Sequence, residues 1–456
     1  MIRARQVTIR VVAGLMLTGL SVAGGSALAE VLTLEQAIER AMHHDARISE
    51  REKLVQVARG LLQEALGSDD LIYDVNAFTG LTTQVDGGFF DSASTTESRS
   101  DRYKWNGVST WSAVQFSIIK PLYTFGKIEN YADAARENIR IKGQDVNLQR
   151  ANTIIDVSRA YYGYLTARDT RRLLEDVIKR LDKAIVVVRQ WLDSDSGDVR
   201  QSDLFGLQSG RGLIANYLDQ AGGIESVAMA GLRLLTGVKP GEVLEVADKR
   251  LTPLATPDQT LEELQARALK QRPEIKQLNA GLKARRALVA AKQSEKKPNI
   301  YAGVAGMAAY SPGRDRLDNP YVYDPFNDYG ATPLIGIQWQ WASGVQTARV
   351  VQAQAELDAL IEKSSFAHDG IAFEVAEQYH QVQAFSRGVK KLKQASRSAR
   401  RWMVSSYADF EAGIEDAEYA LTAFQGYVLI YSDYLKTVND YNMHVVRLRH
   451  VSGENR

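Results

Sequence analysis

The sequence predicts a mainly α chain with a β-barrel portion, in which the order helix, strand, strand, long helix, return helix occurs twice. Three observations lead there. From Val108 to Ile119 the residues alternate with a period of two. Val108, Thr110, Ser112, Val114, Phe116 and Ile118 fall on one face, and Ser109, Trp111, Ala113, Gln115 and Ser117 on the other. Past Pro121 and Gly126, which break the ladder, the period changes: Leu174, Val177, Leu181, Ala184, Val188 and Trp191 recur at steps of three and four. No proline stands between Gly126 and Gly197. The roughly 70 helical residues between them would span on the order of 100 Å, a rod that no compact domain needs.

The chain opens with Arg3, Arg5 and Arg10, an apolar run from Val11 to Ala23, and the small residues Ala27-Leu28-Ala29. This is the pattern of a secretory signal peptide over residues 1–29. Its removal takes three Arg and changes the formal charge from +1 to −2, a balance that gives no support for nucleic-acid binding. There are 0 cysteines, which excludes disulfides, thiolate catalysis, thiolate metal sites and lipid attachment through Cys. No later run has the apolar length of a membrane-spanning helix, so entry into a membrane would require a β-barrel.

In the mature chain Thr33 is the expected N-cap of a helix that opens at Leu34-Glu35-Gln36-Ala37 and runs to about Leu66. A strand at about 71–81 follows, with Tyr73, Val75, Ala77, Thr79 and Leu81 alternating against Asp74, Asn76 and Gly80. The polar connection at 82–107 reads as a surface loop. It leads to the strand at 108–119 and the long helix, which ends near Gly197 at a short acidic turn. The return helix to Gly237 completes a first repeat, 30–237.

After a linker at 238–259, the second repeat, 260–456, retraces this order. Thr260-Leu261-Glu262-Glu263-Leu264 opens a helix that ends near Lys297-Pro298. The strand at 299–310 sets Ile300, Ala302, Val304 and Ala308 against Asn299, Gly303 and Met307. A second loop, 311–331, precedes a strand at about 332–341. There Ile335, Ile337, Trp339 and Trp341 alternate with Leu334, Gly336, Gln338 and Gln340. Gly344 marks the passage into a second long helix, as Gly126 does into the first. The return helix after Gly413 carries Phe424, Tyr427, Tyr431, Tyr434, Val438, Tyr441, Val445 and Leu448 at heptad steps up to Gly453. In each repeat the first helix and the return helix, laid end to end, match the long one beside them, as a uniform tube wall requires.

Four strands of about ten residues can each cross a bilayer when tilted, yet four cannot close a barrel, and open edges in lipid leave backbone groups unpaired. Several chains must share one barrel. Two copies give a packed interior; three give twelve strands and a wider lumen, which fits a conduit better. Trp339 and Trp341 suit an interfacial girdle, with ordinary strand packing as the plainer reading.

The signal peptide, the duplicated order, the junction Lys120-Pro121-Leu122-Tyr123-Thr124-Phe125-Gly126-Lys127 and the two turn glycines together resemble the TolC family of outer-membrane efflux proteins, over nearly all of the mature chain. The resemblance implies a homotrimer with a twelve-stranded barrel in outer-membrane lipid and a long periplasmic α-helical barrel. It implies a passive duct, docked to a periplasmic adaptor (membrane fusion) protein and an inner-membrane transporter that supplies the energy. It places the turns at 193–203 and 409–418 at the periplasmic tip, with Gly197, Val199, Gly413 and Ile414 as the adaptor-docking residues. Asp198, Asp203, Glu415, Asp416 and Glu418 are then candidates for an acidic ring that concentrates cations. The plainer reading is that acids at a helix start stabilise its dipole. The best-known family member has its constricting aspartates six and nine residues after the second turn glycine, positions held here by Tyr419 and Thr422, so its gate chemistry does not carry over.

The six His are scattered and no phosphate loop, zinc-binding helix or nucleophile elbow occurs, so neither a catalytic site nor a cofactor is expected. The expected function is the exit duct for small toxic compounds. The duct of a type I protein-secretion system is an alternative in the same family, and a periplasmic helical adaptor or structural protein is one from another class. The adaptor would explain the heptads but has no need of four alternating strands.

Overall fold

The computed structural model describes residues 30–86, 104–194, 199–239, 242–316 and 323–454; the leader read at 1–29 lies outside them, as do Gly197 and Asp198. The first repeat comprises β1 (Glu30–Leu32), α1 (Leu34–His44), α2 (Ala46–Gly67), β2 (Ile72–Asp86), β3 (Lys104–Tyr123), α3 (Lys127–Asp193) and α4 (Gln201–Thr236). After β4 (Leu244–Val246) come α5 (Leu261–Gln271), α6 (Pro273–Ser294), β5 (Asn299–Tyr310), β6 (Tyr329–Gln338), α7 (Ser343–Glu411) and α8 (Ala417–Val451).

The elements form a curved wall four members wide. The antiparallel sheet has the order β2-β3-β5-β6. Each strand is continuous in the chain with a helix, and the helices keep the same order: α2 packs on α3, α3 on α6, α6 on α7. Farther from the sheet α4 packs on α3, α3 on α8, and α8 on α7. The two long helices thus run the whole height, each flanked by two shorter ones in succession. The wall has two free edges, one formed by β2, α2 and α4 and the other by β6 and α7.

Both repeats start with the same capping box. Gln36 N donates to Thr33 Oγ1 at 3.2 Å while Thr33 N donates to Gln36 Oε1 at 3.0 Å, and Thr260 and Glu263 repeat the exchange. The helix expected from 34 to 66 is broken at Asp45, and the one from 261 is broken at Arg272. Asp45 caps α2 by accepting from Arg47 N at 2.9 Å, and Thr153 of α3 donates to the same carboxylate at 2.6 Å. Pro273 opens α6, and Arg272 pairs with Glu274 and, at 2.6 Å, with Glu374 of α7. At each break the helix bends against the long helix next to it, with one buried charge anchoring the bend.

The linker at 238–259 is not a plain connection: its β4 pairs in parallel with β1, and the segment is tied to α3 and α8. Tyr161 donates to Asp248 Oδ2 at 2.9 Å, Leu251 N to Asp169 Oδ2 at 2.8 Å, and Leu254 N to Asn442 Oδ1 at 2.8 Å. Among the described residues two large apolar cores fill the wall, and a small third one joins α6 to α7 at Val289, Ala353 and Leu357. One large core surrounds this belt, with Tyr161, Leu165, Val438 and Tyr441; the other runs toward the helical tip, with Leu174, Val177, Leu181, Leu207, Met403 and Phe410. The heptad positions read at 174, 177, 181, 184 and 188 are all buried. Each of the Leu and Val side chains among them contributes about 1.5–3 kcal/mol by leaving water.

The strands correct several boundaries. β2 continues to Asp86 and β3 begins at Lys104, so both ends of the loop expected at 82–107 belong to the ladder, which crosses a bulge between Thr83 and Val85. Polar side chains there suggested a loop, but ladder bonds are made by the backbone. β6 ends at Gln338 rather than 341, which places Trp339 and Trp341 beyond the strand. The passages into the long helices also differ. Phe125 (φ 53) and Gly126 (φ 82) are both left-handed at the head of α3, whereas Gly344 lies inside α7 with ordinary helical backbone.

Candidate conduit wall and helical tip

The register aligns the alternation of all four strands. Tyr73 pairs with Ile118, Ile118 with Val304, Val75 with Phe116, Ala302 with Ile335 and Ile300 with Ile337. The apolar sets read from each strand therefore share one face of the sheet, and they are exposed: Val75 is 67%, Leu81 76% and Ile335 78% accessible. Exposed aromatic residues bound this face at both ends. Tyr73 and Tyr123 lie at the end next to the helices, Tyr310 and Tyr329 at the far end. Trp339 and Trp341 join the first group from just beyond β6. Their rings stack at 5.0 Å, and Trp339 Nε1 donates to Lys296 O at 3.2 Å. An apolar band between two aromatic belts is the pattern of a sheet that faces lipid.

The opposite face is mostly polar or small, with Asp74, Asn76, Gly80, Thr82, Ser109, Gln115, Ser117, Gly303, Ala305, Thr332 and Gly336, and it also carries Phe78, Trp111, Tyr301, Met307 and Leu334. Close packing enforces some of this. A Cβ on Gly336 would come within 2.5 Å of the Tyr301 ring, which lies across it from the neighbouring strand. Where this face meets the helices, a groove of about 2000 Å³ opens, lined by Ile119, Pro121, Tyr131, Tyr301, Arg285 and Glu356. Several of the charges at this groove are paired. Tyr131 Oη donates to Glu295 at 2.5 Å and Lys292 Nζ to the same oxygen at 2.9 Å, while Arg285 pairs with Glu356. Burial raises the Glu295 carboxyl, but the bonds from Tyr131 and Lys292 outweigh it and hold the group below its ordinary range. The polar sheet face runs into this groove at Ile119, Tyr301 and Gln338.

At the other end of the helices, Gly413 (φ 70) closes α7 in a Schellman motif: Ile414 N donates to Asp409 O at 2.9 Å and Gly413 N to Phe410 O at 3.0 Å. The turn presents Ile414, 74% exposed, to solvent, and Glu415, Asp416 and Glu418 are exposed around it. Asp203 has the plainer role: its carboxylate accepts from Arg200 N at 2.8 Å and caps α4. Val199 packs against the tip core. Beneath the turns Trp191 and Phe410 meet edge to face at 5.3 Å, and the Arg180 guanidinium lies 6.0 Å from the Tyr407 ring centroid. Burial, with Glu411 nearby, pushes the Tyr407 hydroxyl well up. The structure thus brings Gly413, Ile414, Glu415, Asp416 and Glu418 together and keeps Asp203 in a local cap. The Trp191, Tyr407 and Phe410 cluster has no sequence signal beyond the heptad position of Trp191.

Among the described residues no helix is long and apolar enough to cross a membrane, and no group of three His, Asp or Glu side chains is placed to hold a metal ion. No protein-family model and no curated protein matches the sequence. Solved structures do. Over 92% of this chain the fold is similar to the outer-membrane channel OprN, at 16% identity and a TM-score of 0.73, covering 89% of that chain. It is similar over the same share to the Campylobacter jejuni outer-membrane channel CmeC (13% identity, TM-score 0.73, 86% of that chain). The open state of the Neisseria gonorrhoeae channel MtrE matches at 15% identity, with a TM-score of 0.72 and 88% of that chain covered. The fold is that of the TolC-type outer-membrane channels. In this fold the sheet stands at one end, the belt of β1, β4 and the linker lies midway, and the Gly413 turn belongs to the far helical end.

Proposed function

We propose that three copies of this chain close into a tube that spans the outer membrane and serves as the passive exit duct of an efflux assembly. The observation that carries this reading is the shared register of the four strands, which puts one apolar, aromatic-bounded face outward and one mostly polar face on the side that runs into the groove. A four-stranded sheet with free edges at β2 and β6 cannot stand alone in lipid, so each edge is completed by the opposite edge of another copy, in a head-to-tail ring. Exposed apolar side chains on the helices support this closure. They gather on the free edges, at Tyr217, Ile224, Val227 and Leu234 of α4 and at Val345, Val351, Phe366 and Phe373 of α7. Twelve strands leave a lumen, where eight would fill with side chains.

The cargo is small toxic compounds, and energy comes from an inner-membrane transporter reached through a periplasmic adaptor. The adaptor docks at the tip on Gly413, Ile414 and the matching turn at 197–199. Glu415, Asp416 and Glu418, repeated three times around the mouth, favour cations.

The test is single-channel conductance in planar lipid bilayers with the mature, detergent-extracted protein. Defined steps with a cation preference that falls in Glu415→Gln/Glu418→Gln are expected. A well-folded protein that stays soluble without detergent and never inserts would replace this reading with a periplasmic helical one.

A further inference from the structure

The described ends of the loop after β5 do not project away from the sheet. These parts, 311–316 and 323–328, lie across the polar face at the end remote from the helices. Gly313 N donates to Ser109 Oγ at 2.9 Å, and Ser311 Oγ donates to Thr110 O at 3.0 Å. The segment reaches β2 as well: Val85 N donates to Gly313 O at 2.9 Å, and Asp315 N to Val85 O at 3.1 Å. Arg314 Nη1 donates to Thr83 O at 3.2 Å, and its guanidinium sits 4.1 Å from the Phe326 ring centroid. Phe326 meets Trp111 at 5.4 Å, and Trp111 meets Phe78 at 5.1 Å. Asn327 stitches the two parts together, accepting from Ser311 N and donating to Arg314 O, both at 2.8 Å.

Thr82, Ser109, Trp111 and Phe78 all belong to the polar face. Under the loop that face is dry: Ala113 is 2% and Ser109 7% exposed. Nearer the helices, on the same face, Asn76 and Gln115 are exposed. The cover is therefore local, and it lies on the surface that a conduit needs open.

We infer that this segment, pinned by Arg314 and the Phe326–Trp111–Phe78 stack, is an inward constriction at the outer mouth that sets the size limit of solutes leaving the duct. The inference rests on the duct reading. Three inward segments, one per copy, would narrow one end of the barrel, where passage depends on cross-section.

The test compares conductance and the largest polyethylene glycol that enters the pore, for wild type and for Arg314→Ala/Phe326→Ala. Release of the segment is expected to raise conductance at least about twofold and to admit larger polymers. The chain has 0 cysteines, so Ser109→Cys/Ser311→Cys, whose hydroxyl oxygens stand 3.5 Å apart, adds a single switchable tether. In the released background, oxidation of this pair should return conductance toward wild type, and a reductant should restore the gain. If wild type conducts and the released variant is unchanged, the constriction is refuted and the duct stands. If no variant conducts, the duct reading fails and the constriction fails with it.

Discussion

The two return helices, α4 and α8, occupy equivalent places in the two repeats and are built differently. Helix α8 carries an aromatic and aliphatic seam, with Phe424, Tyr427, Val438, Tyr441, Val445 and Leu448 buried, because it has α7 on one side and α3 on the other. Helix α4 packs mainly on α3, touches α8 and α1 less extensively, and presents a free edge on its other side. It contains six glycines, and its apolar residues at 213, 217, 224, 227 and 234 are exposed. The duplication supplied one pattern twice, and position in the wall decided what each copy had to bury. An exposed apolar stripe on an otherwise regular helix marks where the wall is unfinished.

The largest expected effects would sharpen or break this contrast. Leu435→Ala in α8 removes a side chain that is 1% exposed and should cost about 2–5 kcal/mol in urea unfolding. Leu234→Asp in α4, at a residue 82% exposed, should leave the fold of the single chain intact while the assembly falls to monomers in size-exclusion chromatography with light scattering. Equal destabilisation by both, with assembly unchanged, would mean that α4 is not an edge.

The next contrast is between the glycines at the two ends of α7. Gly413 needs its left-handed backbone, so Gly413→Ala should lose about 1–2 kcal/mol. Gly344 sits in the first turn of α7 with open space around it, so Gly344→Ala should be neutral or gain up to about 1 kcal/mol. Thermal melts of the two variants should move apart.

What could be read in advance follows from how local its cause is. The strand faces were legible because period-two alternation needs no knowledge of the partner strand, and the register then brought four independent readings onto one surface. The capping threonines and the long helices were legible for the same reason. The bends at Asp45 and Arg272 were less so. Both carry a local sign, an N-cap residue and an X-Pro step, yet the apolar pattern continues through them. Trp339 and Trp341 kept their alternation past the last ladder bond, so periodicity overran the strand. The inward placement of 311–316 and 323–328 left no mark, since a Gly, Asp and Ser-rich stretch reads the same whether solvated or folded onto a sheet. Asp203 shows the converse, an acid that suggested a ring and serves its own helix.

The smallest expected effect concerns the two bends, which differ in the sign of the buried charge and so in their response to acid. In the second repeat His450 lies beside Arg272, Glu274 and Glu374. Burial lowers its imidazole below the ordinary 6.5, with Glu274 and Glu374 opposing the shift and Arg272 adding to it. A lowered folded pKa means that the unfolded chain takes up the proton first, so stability falls as pH drops below about 6.5. Burial raises Glu274, but Arg272 outweighs it and holds the carboxyl below its ordinary 4.5, so its contribution is lost only in stronger acid. In the first repeat burial likewise raises Asp45, and Arg47 and Thr153 bring it below 3.8; no histidine stands in that pairing. Acid should therefore loosen the second bend well before the first. Urea midpoints taken from pH 8 to pH 4 should decline from about 6.5 in wild type. His450→Gln, which cannot titrate, should lessen the decline down to about pH 5, leaving the part contributed by His444, which burial also lowers, and should keep the later loss in place. If the midpoints of His450→Gln track wild type throughout, the early loss comes from elsewhere and the two bends are equivalent in acid.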